Sequence, residues 1–404
     1  MEKKYLYFPI ESKTRELDAK LLLSYYAIKN NYSVIIGEHT PIFHHLKILP
    51  KGIILSKGHP DGDTRKWHMA NAKKFGYSLV ELDEEALIIG PTYNRLGKDD
   101  SYINILDQIY CWGKIPKEMI AQRFGSFKNK LYITGHPRFD LLKKKFLPLY
   151  SEEMQKIKKE YGDFILVNTR FTHYNHFQNG FNPNAKFMKS NFDHFIILIK
   201  ELSKNFPNLN IVVRPHIHES LEPYKNEFSH YKNVFVVHEG SVGKWIQASK
   251  VIIHNSCTTG IEALLLEKPV ISYLPVNYEL ESKSLPNMVT PKAANILQII
   301  NFIKYSHSNN KIGEYKKILA KYYGAMDDNY AYKNIIDLLN KIDVTEESSI
   351  MESTIKAFSI KNGIDTLTSV EEIKNFFTKL DKIENTKTNI IIRRIAPDLF
   401  EIKS

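Results

Sequence analysis

Short apolar runs alternate with longer amphipathic stretches, and the alternation starts twice along the chain. That pattern specifies α/β domains, in which mostly parallel strands are joined by helices packed on the sheet. In the first half the strand candidates lie at 5–10, 33–37, 52–55, 79–82, 109–112 and 131–134. Leu17, Leu21, Leu22, Tyr25 and Ile28 recur at helical spacing and predict a helix over about 16–30; another is expected at 64–75. After the lysine-rich stretch 142–147 and Pro148, a charged helix at 152–161 leads into a strand at 164–168 and the pattern resumes. Strands follow at 210–213, 234–237, 251–253 and 270–273, with helices at 191–205, 242–248 and 259–266. The expected architecture is two Rossmann-like domains, 1–147 and 148–344, facing across a cleft. From about 345 the sequence turns polar, with an amphipathic segment at 370–380 and a strand-like run at 389–392. Residues 345–404 therefore read as a small C-terminal extension, an appendage or partner-binding segment.

A length of 404 residues suits two domains, and 43% hydrophobic with 25% charged residues excludes disorder or a fibre as the main state. No apolar run approaches the roughly 20 residues of a membrane span. The N-terminus carries no signal-peptide pattern, so a cytoplasmic location is expected. Cys111 and Cys257 make no disulfide framework and no zinc spacing. The net charge of +11 favours acidic partners, a phosphorylated substrate or an anionic membrane face among them. No nucleic-acid motif accompanies the charge, so nucleic acid is not an expected partner. Asp61-Gly62-Asp63, Asp99-Asp100, His44-His45 and His173-x-x-His176 lack the further ligands of a metal site, and none is expected.

The strongest local motif is His254-Asn-Ser-Cys-Thr-Thr-Gly-Ile-Glu-Ala-Leu264, which leaves a strand and opens a helix. Ser256, Thr258 and Thr259 offer hydroxyls beside free helix N–H groups, Gly260 allows close backbone approach, and Glu262 can accept from ribose hydroxyls. The plainer alternative is that Ser256 or Thr258 caps the helix and Glu262 complements its dipole. Arg214-Pro-His216 ends another strand of the same half, where ligands of open α/β sheets gather. His216 can donate to a phosphate and stabilise charge on a leaving nucleotide. Asn168 and Arg170 follow the first strand of that half, and Ser241, in Gly240-Ser-Val-Gly243, opens a short helix suited to the nucleobase. In the first half, Asp83, Glu84 and Glu85 end a strand; adjacent carboxylates raise one another's pKa, which suits a proton acceptor, with Glu84 or Glu85 preferred. A solvated helix start is the alternative there. Lys13 and Arg15 can receive an acceptor or a donor carboxylate.

Arg214-Pro-His216, the 254–264 motif and Gly135-His-Pro-Arg-Phe-Asp140 together resemble the donor half of GT-B glycosyltransferases that build bacterial surface polysaccharides. Arg15-Glu-Leu-Asp-Ala-Lys-Leu-Leu-Leu23, Gly52-Ile and Leu82-Asp-Glu-Glu-Ala-Leu87 resemble the surface carbohydrate biosynthesis protein family. That family is akin to the β-Kdo transferases and, more remotely, to bacterial sialyltransferases with an acidic-pair motif and a His-Pro motif. The resemblance spans roughly residues 5–340 and leaves the tail outside. It implies an α/β, GT-B-like enzyme that moves a sugar, such as a Kdo- or sialic-acid-like ulosonic acid, from a CMP donor to a glycan or glycolipid acceptor. It implies no cofactor beyond the nucleotide-sugar co-substrate, and a general base, or in a retaining relative a nucleophile, within the acidic trio. A CDP-alditol or UDP-sugar donor is the alternative, as is a non-catalytic nucleotide-binding component of a polysaccharide assembly complex.

Overall fold

The computed structural model describes residues 4–57, 63–85, 87, 100–175, 185–277, 279–305, 311–344 and 367–404. The chain divides by its contacts into two units: the first takes it to 149 and resumes at 320, and the second holds 150–319 with 88–90.

In the first unit, strands β1 (Lys4–Ile10), β2 (Tyr32–Glu38), β3 (Gly52–Ser56), β4 (Ser78–Leu82), β5 (Gln108–Cys111) and β6 (Leu131–Ile133) form a parallel sheet in the order β2-β1-β3-β4-β5-β6. After Lys4, β1 is a continuous buried run from Tyr5 to Ile10 because both its faces are covered, as parallel sheets require. Tyr5 and Tyr7 join the core with Ile54, Leu79 and Tyr102, while Leu6 and Phe8 are buried on the opposite face. In the second unit, β7 (Phe164–Asn168), β8 (Asn210–Arg214), β9 (Val234–Val236), β10 (Val251–His254), β11 (Val270–Tyr273) and β12 (Lys292–Ala293) run parallel in the order β12-β11-β10-β7-β8-β9. Alternate residues of β7 serve two cores: Ile165 and Val167 pack under the long helix Ala185–Asn205, and Phe164 and Leu166 against Trp245 and Ile246.

The tail differs from the expected appendage. A hairpin of β13 (Ile391–Ala396) and β14 (Leu399–Lys403) adds two antiparallel strands to the first sheet, with Leu399 opposite Gly37 and Ile402 opposite Val34. A Cβ at Gly37 would lie 2.1 Å from the Asp398 carbonyl, so only glycine lets β14 approach. The helix Val370–Glu384 is capped by Ser369, whose hydroxyl accepts from the Glu372 amide at 3.1 Å, and its Phe377 meets the Tyr25 ring edge-on at 5.5 Å. The stretch 320–344, expected in the second domain, also groups with the first unit. The buried Asp140 carboxylate accepts from the amides of Ala331 at 3.0 Å and Tyr332 at 2.8 Å, tying the start of helix Ala331–Leu339 to this unit. No helix among the described residues is long and apolar enough to cross a membrane.

Candidate active site

Parallel strands bring their carboxyl ends to one edge of each sheet, and there the residues singled out by sequence are found. In the second unit Asn168 pairs in register with Arg214 on one side and His254 on the other. The side chains of these three strand ends share a face. The following loops are fastened by Glu219, a buried carboxylate that accepts from the Phe171 amide at 2.9 Å, the His216 amide at 3.1 Å, and the hydroxyls of Thr169 at 3.2 Å and Tyr224 at 2.6 Å. Burial raises the Glu219 pKa, and those four donors work against the rise. Sequence reasoning did not single out Glu219 for this role.

Around that edge, among the described residues, five buried polar atoms have no hydrogen-bond partner: Asn168 Nδ2, Arg214 Nε, His254 Nδ1, Asn255 Oδ1 and Thr259 Oγ1. Arg214 donates through Nη2 to the Glu239 carbonyl at 3.0 Å and to that of Gly240, and burial lowers its pKa to about 10 against the field of Glu262. His216 is half-buried, its Nδ1 3.4 Å from the Thr172 hydroxyl and accepting from the His218 amide at 3.3 Å. Arg170 stands 3.7 Å from Glu281, and Thr258 and Ser241 are half-buried helix caps with no side-chain cap bond. Glu262 is buried on the first turn of helix Thr259–Leu265.

Two residues there do other work than expected. Ser256 is 2% exposed and its hydroxyl accepts from Asn287 Nδ2 at 2.7 Å, so it anchors the segment around Leu285–Met288 rather than facing a phosphate. Its φ of 53° turns the chain at the strand end. Gly260 makes room for an imidazole: a Cβ there would fall 2.4 Å from His254 Nε2, and burial drives the His254 pKa down to about 3.

In the first unit the acidic trio divides. Glu84 is 2% exposed, with Oε2 3.0 Å from His136 Nε2 and Oε1 3.3 Å from Lys20 Nζ, close contacts that lie outside hydrogen-bond alignment. Burial alone raises its pKa; His136, Lys20 and Arg138 outweigh that and hold it well below the usual carboxylate range. His136 Nδ1 accepts from the Arg138 amide at 3.1 Å, which leaves the proton on Nε2, and burial keeps this imidazole below its ordinary pKa. Glu84 is thus buried, its carboxylate placed against Lys20 and His136. Asp83 is half-buried, its Oδ1 accepting from the Glu85 amide at 2.9 Å and its carbonyl from Trp112 Nε1 at 2.6 Å. Glu85 is half-exposed and meets Arg15. Arg15 also lies 3.4 Å from the buried Glu16, and Lys13 pairs with Glu372 at 2.8 Å. Lys20, His136 and Trp112, the partners of Glu84 and Asp83, were not among the expected site residues, although Lys20 lies in the 15–23 motif and His136 in the 135–140 motif.

Among the described residues no group of three His, Cys, Asp or Glu side chains is placed to hold a metal ion. Asp61, Asp99 and His176, and the side chains of Asp63, Asp100 and His173, lie outside the described residues.

Solved structures superpose on most of the chain. A UDP-GlcNAc 2-epimerase from Methanocaldococcus jannaschii superposes with a TM-score of 0.55 at 13% identity over 84% of this chain and 99% of that one. The Neisseria meningitidis UDP-GlcNAc 2-epimerase bound to UDP-GlcNAc gives 0.53 at 14% identity over 84% and 100%, and the wall teichoic acid polymerase TagF 0.51 at 12% over 84% and 88%. The chain has the GT-B fold. No protein-family model matches it, and no curated protein sequence matches it. The GT-B likeness rests on the two parallel sheets and their crossovers; the C-terminal hairpin widens the first of them.

Proposed function

We propose that this GT-B chain is a nucleotide-sugar-dependent glycosyltransferase of surface polysaccharide assembly, with its donor bound at the carboxyl edge of the second sheet. The observation that carries the reading is the set of partnerless polar atoms around the in-register ends of β7, β8 and β10. A buried polar atom without a partner costs about 1–3 kcal/mol, and a nucleotide supplies the missing partners. Arg214 and Asn168 donate to phosphate, with Thr258, Thr259 and Arg170 at its border; Glu262 takes the ribose hydroxyls, and Ser241 flanks the base. His216 donates to the phosphate that leaves with the nucleotide. In the first unit Glu85, which is half-exposed, accepts the proton of the acceptor hydroxyl, and Glu84 positions it.

The donor is a pyrimidine nucleotide sugar, with a CMP-linked Kdo- or sialic-acid-like ulosonic acid preferred from the sequence motifs. UDP-GlcNAc in one neighbour and CDPG in a TagF variant, at a TM-score of 0.52 and 14% identity, favour a diphosphate donor as the second reading. Thermal unfolding with CMP, CDP and UDP tests both: a ligand at a hundred times its Kd adds about 2.7 kcal/mol of stability. Protection by CMP supports the ulosonic donor, and protection by uridine compounds alone rejects it. If no nucleotide raises the midpoint, the transferase reading falls. A glycolipid acceptor and the +11 charge further predict binding to anionic vesicles that weakens with salt; absence of binding at low salt removes the membrane contact.

A further inference from the structure

At the carboxyl edge of the first sheet Glu11, Glu16, Glu84 and Glu85 each meet a cation. Glu11 meets Lys57 at 2.6 Å and also Arg65; Glu16 meets Lys57 at 3.2 Å and Arg15 at 3.4 Å. Glu84 meets Lys20 at 3.3 Å, and Glu85 meets Arg15. Arg138 stands apart. Among the described residues it touches no carboxylate; its guanidinium makes one long bond, Nη1 to the Glu84 carbonyl at 3.5 Å, and Nε is buried with no partner. Its place is nevertheless fixed. The guanidinium carbon lies 5.6 Å from the ring centres of both Trp112 and Phe139, Trp112 is tied to the Asp83 carbonyl, and the Arg138 amide is held by His136.

A half-buried guanidinium over aromatic rings, with one long bond to a carbonyl and its Nε partnerless, matches the planar oxygens of a carboxylate or a phosphate. We propose that Arg138 is the anion-binding residue of the first unit, receiving a carboxylate or phosphate group of the substrate. The role expected for Lys13 and Arg15 passes to it, because those two are already neutralised by Glu372 and Glu85. The proposal deepens the transferase reading by giving the substrate bound to this unit an anionic group, and it rests on that reading only for the identity of the molecule.

The test uses the full-length protein with nitrogen-labelled arginine. The Arg138 Nε–H resonance, assigned by its loss in Arg138→Lys, is followed during titration with inorganic phosphate and, separately, with acetate at constant ionic strength. A saturable shift with one of them is expected, and which anion produces it separates a phosphate from a carboxylate source. Calorimetric affinity for that anion should drop at least tenfold in Arg138→Lys and in Arg138→Gln. Arg138→Lys keeps the charge over Trp112, so it carries the test if the glutamine variant unfolds. An unmoved resonance with both anions, or full affinity in Arg138→Lys, overturns the proposal. Nucleotide protection is measured separately, so failure there with anion binding intact removes the transferase reading and leaves the anion site standing.

Discussion

Adjacent residues of one acidic run have opposite fates, and that makes them separable by mutation. Glu85→Gln should lower glycosyl transfer by about 10²–10⁴-fold with the unfolding midpoint unchanged, as loss of a proton acceptor predicts. Glu84→Gln instead leaves Lys20 buried beside a neutral group and should cost about 3–5 kcal/mol of stability, read by urea unfolding. Equal loss of stability in the two variants would contradict the division. Glu81 gives a pH signature. Its carboxyl is fully buried, accepts from the Tyr102 hydroxyl, and is pushed by burial from 4.5 up to about 8. The folded protein then binds this proton more tightly than the unfolded chain. The contribution is complete below about 4.5 and declines as pH rises towards 8, where the proton is lost. Glu81→Gln, which imitates the protonated form, should flatten the fall in midpoint between pH 5 and 8; an unchanged slope counts against a neutral Glu81. The fates of Asp83 and Glu84 are not visible in the run Asp83-Glu-Glu85 itself, because the partners that set them come from the first helix, from the turn after β5 and from the loop after β6.

Elements whose pattern is local were legible: β1, β7, β10 and the helix Lys13–Ile28 lie where periodicity put them, within a few residues at their ends. The 254–264 motif was also correctly placed at a strand-to-helix turn, yet the work of its members was not readable. A serine hydroxyl facing solvent and one spent on Asn287 look alike in sequence, and a glycine needed for a phosphate looks like one needed for His254. Gly260→Ala should therefore overpack the imidazole and cost about 1–3 kcal/mol even without nucleotide present, measured as a lower midpoint in its absence. The tail misled for a related reason. Its last strand, β14, pairs with β2 at the far end of the chain, and no local signal announces a partner so distant. Removing 389–404 uncovers the apolar β2 edge, and aggregation or loss of the first unit's cooperative unfolding is expected; a monomeric truncated protein with an unaltered melting curve would return the tail to the status of an appendage.

Each unit has its own sheet and its own apolar cores, so ligand effects should be assignable to one of them. Hydrogen exchange with the protecting nucleotide should slow at the ends of β7, β8 and β10 and in the loops after them, where the partnerless atoms lie. Slowing confined to the first unit would place the donor there instead. The amino-acid order alone determined the two α/β bodies, their strands, and the strand ends at which chemistry gathers, because alternation and helical spacing are local properties of a chain. Tertiary structure alone decided which polar groups at those ends are already spent. A hydroxyl, carboxylate or guanidinium is satisfied or left open by whatever folding brings within about 3 Å of it, and those partners come from remote parts of the sequence.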